Sequence, residues 1–280
     1  MAHGSQLTTH ADLNNIWYAR GNRLVAALKK RTLLCLSLLI FIEILSSGQN
    51  PPFDSGWVTA VYDGDTIKVR LRNGGEVRVR LIGIDSPELD DPREEVQFLA
   101  QMAKEFAYYH LFGREVRLTY DWEPKDNYGR TLAYIWTDDQ KMFNEFIVSE
   151  GFAFAFLKFP YRKDYQERFK AAESLARVKG VGLWHKESYP VVAATEARGS
   201  LGKIAAVEFL CSSIQTRMRF TLLLSQAGEF QVLIPREKSP LFPDLRFFSN
   251  RTLIVTGFLG DFRGRTEMRL FSPHQIRAKN

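Results

Sequence analysis

The chain has 280 residues, 45% hydrophobic and 25% charged, proportions that exclude a largely disordered chain, a collagen-like repeat and a polytopic membrane protein. Two cysteines exclude a disulfide framework and any multi-cysteine zinc or iron–sulfur centre. The formal net charge of +6 hints at a polyanionic partner, nucleic acid or a membrane surface, but it is unevenly spread. Residues 1–50 carry five basic and two acidic side chains, residues 51–200 carry 21 and 24, and residues 201–280 carry 12 and six.

At the N-terminus, Lys29-Lys30-Arg31 precedes an apolar run from Thr32 to Leu45, broken only by Ser37 and Glu43 and followed by Ser46-Ser47-Gly48-Gln49. Residues 1–50 therefore read as an export signal with a cleavage point near Gly48. The run is short for a membrane span, and Glu43 would be costly at the bilayer centre. The expected location is secreted or periplasmic, with transient membrane contact through this segment. The alternative is a signal anchor that holds the following domain outside the cytoplasm.

From Gly56 the sequence alternates between apolar and polar residues in three runs, Trp57–Tyr62, Thr66–Leu71 and Glu76–Ile82. Turn signals at Asp63-Gly64-Asp65 and Asn73-Gly74-Gly75 separate them, so they read as an antiparallel meander. Apolar positions three and four apart predict a helix over Arg93–Phe112, stopped by Gly113. Two strands are expected at Glu115–Tyr120 and Thr131–Trp136. Two more helices are expected at Met142–Glu150, ended by Gly151, and Asp164–Lys179, ended by Gly180. Residues 55–185 thus predict an α+β unit, a five-stranded β-barrel with three helices.

Three short clusters in this unit carry the chemistry: Asp63-Gly64-Asp65-Thr66, the run from Arg80 through Asp85-Ser86-Pro87 to Glu88, and Asn127-Tyr128-Gly129-Arg130. Each alone is more often structural than functional, because Asp-Gly turns and exposed strand arginines are common. In this order and spacing they resemble the staphylococcal nuclease (thermonuclease) family. The resemblance covers about Gly56 to Trp184 and includes Asn144-Glu145, Gly151 and Gly182-Leu183-Trp184.

Asp65 and Asp85, each at the end of a turn, can converge on one cation, and hard oxygen ligands without histidine or cysteine select Ca²⁺ or Mg²⁺. The resemblance implies Ca²⁺, with the carbonyl of Ser86 as a further ligand. It implies that Glu88 acts as the general base that takes a proton from water, although Glu88 can also serve chiefly to orient that water. It places Arg80 and Arg130 on the phosphate, where guanidinium groups match the oxygens through paired hydrogen bonds, and Tyr128 on the terminal phosphate or sugar. A packing role for Tyr128 is nearly as consistent with its type. Ser86 replaces a more familiar threonine. The run Phe152–Tyr161 lacks the base-stacking tyrosines of the family; Phe156, Phe159 and Tyr161 are candidate substitutes within a stretch apolar enough to be core.

Residues 186–200 lack periodicity and read as a linker. Beyond them, five strand candidates, Lys203–Phe209, Arg217–Leu224, Glu229–Pro235, Thr252–Phe258 and Arg265–Phe271, predict an all-β five-stranded OB-like accessory domain over residues 201–280. Arg217, Arg219, Arg246, Arg251, Arg263, Arg265, Arg269 and Arg277 interleave there with Phe220, Phe230, Phe247, Phe248 and Phe262. Cations with aromatics are the components of a single-strand binding surface; a solvated barrel with phenylalanine in its core is the plainer reading.

The leading expectation is an exported Ca²⁺-dependent endonuclease acting on DNA and/or RNA without an obligate protein partner, and by resemblance leaving 3′-phosphates. The competing one is a catalytically weak nucleic-acid-binding or protein-binding scaffold. Joint retention of Asp65, Arg80, Asp85, Glu88 and Arg130 argues against it.

Overall fold

The structure, a computed structural model, describes residues 53–138, 140–185 and 188–279. The expected export segment lies outside the described residues. Among those described, no helix is long and apolar enough to cross a membrane.

The first half runs β1 (Phe53–Val61), β2 (Thr66–Leu71), β3 (Glu76–Leu81), β4 (Ile84–Asp85), α1 (Glu94–Leu111), β5 (Glu115–Thr119), β6 (Thr131–Trp136), α2 (Phe143–Ser149), β7 (Phe154–Ala155) and α3 (Lys163–Lys179). Strands close a barrel in the order β1-β2-β3-β6-β5. The one parallel pair in that ring is β3 with β6. Alternation does what it predicts: Ile67, Val69, Val79 and Leu81 fill the barrel interior, while Arg78 and Arg80 on β3 take the other face. Helix α1 covers the barrel with Met102, Ala103, Phe106, Ala107 and Leu111, all buried. Helix α3 ends at Gly180 in the left-handed region, as its glycine stop predicts.

The second half builds another ring from β9 (Ile204–Thr216), β10 (Phe220–Ser225), β11 (Phe230–Pro235), β12 (Thr252–Phe262) and β13 (Arg265–Arg269), preceded by β8 (Val191–Ala193) and followed by β14 (Ile276–Ala278). The order β9-β10-β11-β13-β12 closes through a β12–β9 pairing. The parallel pair is again the third strand with the fifth, β11 with β13. Two five-stranded barrels of one topology therefore stand in tandem, as expected for an α+β unit followed by an OB-like barrel. Phe209 and Phe230 meet edge to face at its centre, rings 5.2 Å apart, with Val207, Cys211, Val232 and Met268 around them.

Residues expected as a linker are partly built into the second barrel. Val191–Ala193 form β8, parallel to β9, and Ala194 and Ala197 are buried in the second core. A three-residue strand is too short to carry a period, and buried alanines give little apolar contrast, so neither marks itself in the sequence. The halves also share a core. Phe258 of β12 is buried among Phe106, Tyr109 and Phe152, and residues Pro51–Asn280 form one compact unit.

Candidate active site

The turn between β1 and β2 is shaped by sterics. A Cβ on Gly64 would lie 2.8 Å from Ser86 Cβ and 2.9 Å from Ala103 Cβ, so only glycine lets the turn press against α1 and the loop after β4. Within it, Asp63 Oδ1 accepts the Asp65 amide at 3.0 Å. That bond presents Asp65 to the interior, where it is buried. Its Oδ2 accepts the Ser86 amide at 2.7 Å and the Ser86 hydroxyl at 2.9 Å, and its Oδ1 accepts the Thr66 hydroxyl at 3.0 Å.

Arg80 sits between the two aspartates. Its Nε lies 3.2 Å from Asp65 Oδ1 and its Nη2 donates to Asp85 Oδ1 at 2.8 Å. Nη1 donates to the carbonyls of Leu81 and Ile84 at 2.8 and 2.7 Å. These carbonyls are offered because Gly83 turns with φ +75°, in a space where a Cβ would strike the rings of Phe169 and Tyr161 at 2.7 Å. The guanidinium is thus pre-positioned and largely buried, at 14% side-chain exposure.

Acidic groups outnumber that one cation. Burial, reinforced by the neighbouring Asp65, pushes the Asp63 carboxyl up to about 6. Burial also raises Asp85, with Arg80 opposing and Asp65 adding to the rise. Glu88 is raised by burial and then by the charges of Asp65, Asp85 and Asp90, against the pull of Arg80. Glu88 stands two residues beyond Ser86, on an exposed loop stiffened by the buried Pro87.

Arg130 and Tyr128 occupy a separate loop at the start of β6. Asp126 Oδ1 accepts the amides of Tyr128 and Arg130, and its Oδ2 accepts Arg130 Nε at 2.6 Å. Tyr128 is 86% exposed, with its ring 5.5 Å from the Arg130 guanidinium. Pairing of Val79 with Thr131 and Arg80 with Leu132 sets this loop beside the strand that carries Arg80. The structure brings Asp65, Arg80, Asp85 and Ser86 into direct contact and carries Glu88 on the loop that follows them. It engages Arg130 with Asp126 instead.

Sequence reasoning assigns no role to three residues of the site. Asp63 is visible inside the Asp-Gly-Asp turn, and Asp126 stands four residues before Arg130. Asn144, buried at the start of α2, accepts the Ile135 amide and donates to the Ile82 carbonyl, both at 2.9 Å, locking the segment that leads from Arg80 to Asp85. Of the stacking candidates, Tyr161 is core, packed under Gly83, whereas Phe159 is 60% exposed. Phe156 donates its amide to the Gly83 carbonyl, just after Phe154 pairs with Asp85 across β4 and β7.

The donor set suits a hard divalent cation in charge and atom type: carboxylate oxygens in excess over one guanidinium, without nitrogen or sulfur ligands. No three His, Cys, Asp or Glu side chains among the described residues form a ready cage. A cation would therefore rest on Asp65 and Asp85 together with backbone and solvent oxygens, in competition with Arg80.

Residues 78–186 match the family model described as "Staphylococcal nuclease homologue". The thermonuclease of Staphylococcus intermedius is 42% identical over 133 residues, 48% of this chain and 77% of its own. The thermonuclease of Staphylococcus hyicus is 36% identical over 162 residues, 54% of this chain and 94% of its own. Endonuclease YncB of Bacillus subtilis is 31% identical over 128 residues, 45% of this chain and 60% of its own. With the Asp65–Arg80–Asp85 bridge built on the first barrel, these similarities make the chain a member of the staphylococcal nuclease family.

Proposed function

We propose that the protein is an exported, Ca²⁺-dependent endonuclease that hydrolyses phosphodiester bonds of DNA and/or RNA, leaves 3′-phosphates and uses its second barrel to hold the polymer. The observation that carries this reading is the single guanidinium of Arg80 fixed by two carbonyls between two carboxylates. A cation held by Asp65, Asp85 and the Ser86 carbonyl would supply charge against the phosphate oxygens. Arg80 retains one hydrogen on Nη2 for a phosphate oxygen, and its fixed position means little reorganisation at the moment of reaction. Glu88, lifted above the ordinary glutamate range, is a stronger proton acceptor for a water nucleophile than an unperturbed carboxylate. Arg130 keeps both terminal nitrogens clear of hydrogen bonds among the described residues while Asp126 holds its Nε, which leaves a fork for a second phosphate oxygen. Tyr128 offers an exposed ring beside that fork.

Export rests on the sequence of residues 29–49 alone. The test is digestion of circular single-stranded DNA with Ca²⁺ and with a chelator. Cutting of the circle with Ca²⁺ only is expected, falling by about 10²-fold or more in Glu88→Gln and Arg80→Ala. Undiminished cutting in both variants defeats the assignment of roles.

A further inference from the structure

A groove of about 1540 Å³ runs between α1 and the second barrel, and Leu89, the residue next to Glu88, is part of its lining. The barrel wall of the groove is basic, with Arg219, Arg236, Lys238 and Arg277 along it. All four are exposed, and none pairs with a carboxylate among the described residues. Their placement is fixed by backbone: the Arg236 amide donates to the Arg219 carbonyl at 2.9 Å, and Arg277 lies on β14, opposite Ile254. Like charges on neighbouring strands repel, so an unpaired Arg219–Arg236 couple is tolerated at a cost that an anion would relieve.

The opposite wall does not cancel this charge. Of the carboxylates in the groove, Glu105 is tied to Arg269 and Glu94 lies 3.0 Å from His274, Glu95 shares the field of Arg93, and Glu237, exposed between Arg236 and Lys238 on the basic wall itself, offsets one of its four charges. Between the cations lie Phe220 and Phe271, half-buried, and Met218, 93% exposed. The structure thereby sorts the arginines of the second barrel. Arg246 is bound to Asp244, Arg265 to Gln231 and Arg269 to Glu105 and Glu267. Arg217 is bound to Gln215, and Arg251 and Arg263, without a carboxylate partner among the described residues, lie outside the groove lining; within the groove Arg219 and Arg277, joined by Arg236 and Lys238, remain for a ligand.

We infer that this groove is the path of a single polynucleotide strand leading away from the active site, its phosphates on Arg219, Arg236, Lys238 and Arg277 and its bases against Phe220 and Phe271. The inference rests on the nuclease reading for its substrate class and adds a route and four contact residues to it. Cations that track a backbone beside flat apolar side chains are what single strands require, whereas a groove walled by a helix suits a strand better than a duplex.

The test uses the full chain in chelator, with anisotropy of a labelled 24-nucleotide single strand measured across a salt series. Replacing Arg219, Arg236, Lys238 and Arg277 with glutamine is expected to lower the slope of log K against log salt by close to 3 units, about 0.7 for each phosphate that is no longer neutralised. In Ca²⁺, kcat/KM for the 24-mer relative to a dinucleotide should fall on the order of tenfold or more. Arg246→Gln with Arg251→Gln, Arg263→Gln and Lys279→Gln, four cations outside the groove lining, is the matched control. Turnover of both substrates by the unaltered chain, with a slope that the four substitutions leave in place or that the control moves equally, overturns the groove and leaves the nuclease reading intact. Binding with the expected slope change but no turnover of either substrate defeats the nuclease reading and leaves the groove standing.

Discussion

The ring of Phe258 on β12 meets the ring of Phe106 on α1 edge-on, their centroids 6.1 Å apart. Phe106 also stacks on Phe152 at 4.5 Å, so the second barrel supplies a wall of the first barrel's core. The two barrels should therefore unfold together, as a shared core cannot be opened from one side alone. Phe258→Ala is expected to cost about 3–5 kcal/mol, the usual range for a buried phenylalanine, and to shift a single thermal transition. Two separate transitions, with only one moved by the substitution, would contradict this.

Glu105 and Arg269 form a partly buried ion pair at 3.3 Å across the same interface. Burial outweighs the pull of Arg269 and raises the Glu105 carboxyl above its ordinary value. An acid with a raised folded-state pKa binds more protons folded than unfolded in the window between its two values, so stability falls as pH rises through it. Glu105→Gln should therefore flatten that decline relative to the unaltered chain in denaturant titrations above about pH 4.5. Arg269→Met leaves the carboxylate without its cation and should cost about 3–5 kcal/mol at neutral pH. A Glu105→Gln variant with an unchanged pH profile would remove the burial argument.

How far these features can be read in advance depends on the distance over which they are set. The meander, the helices and the later strands announce themselves where residues such as Val79, Leu81, Phe106 and Phe209 obey local periods. The Asp65 and Arg80–Glu88 clusters are legible as short motifs. What Arg80 touches is not, because its partners Asp65, Leu81, Ile84 and Asp85 are gathered by strand pairing and by the Gly83 turn. The same limit applies to the basic second barrel, where Arg269 finds its carboxylate 164 residues away. Composition counts such an arginine together with Arg219 and Arg277, although the fold engages one and leaves the others open. The topology common to the two barrels is equally invisible, since it lies in the order of pairing.

Asp126 holds Arg130 by its amide and its Nε, and the arginine in turn keeps the Asp126 carboxyl below the usual carboxylate range, against the opposing effect of burial. Asp126 should therefore act as a positioning residue. Asp126→Ala frees the guanidinium without removing it, and roughly tenfold loss in kcat/KM is expected from misplacement. Arg130→Ala should lose more, and adding the Asp126→Ala change to it should cost little further. Fully multiplicative effects in that double-mutant cycle would separate the two residues.

Asn144 is fully buried at the start of α2 and joins three elements: it takes the Ile135 amide, and its side-chain nitrogen lies 2.9 Å from the Ile82 carbonyl and 3.4 Å from that of Ala133. An aspartate there keeps the acceptor but sets an oxygen against the Ile82 carbonyl, while leucine forfeits all these bonds at similar volume. Each unsatisfied buried backbone group costs about 1–3 kcal/mol, so Asn144→Leu should lower stability by about 2–5 kcal/mol. Ile82 stands between Arg80 and the Gly83 turn whose following carbonyl holds the guanidinium. Loss of the Asn144 bond should therefore lower kcat through Arg80 more than it raises KM, even below the unfolding temperature. Nucleotide release should fall in Asn144→Leu in parallel with that of Arg80→Ala and should show little further loss when the two are combined. A stability loss of this size with kcat intact would assign Asn144 to the core alone.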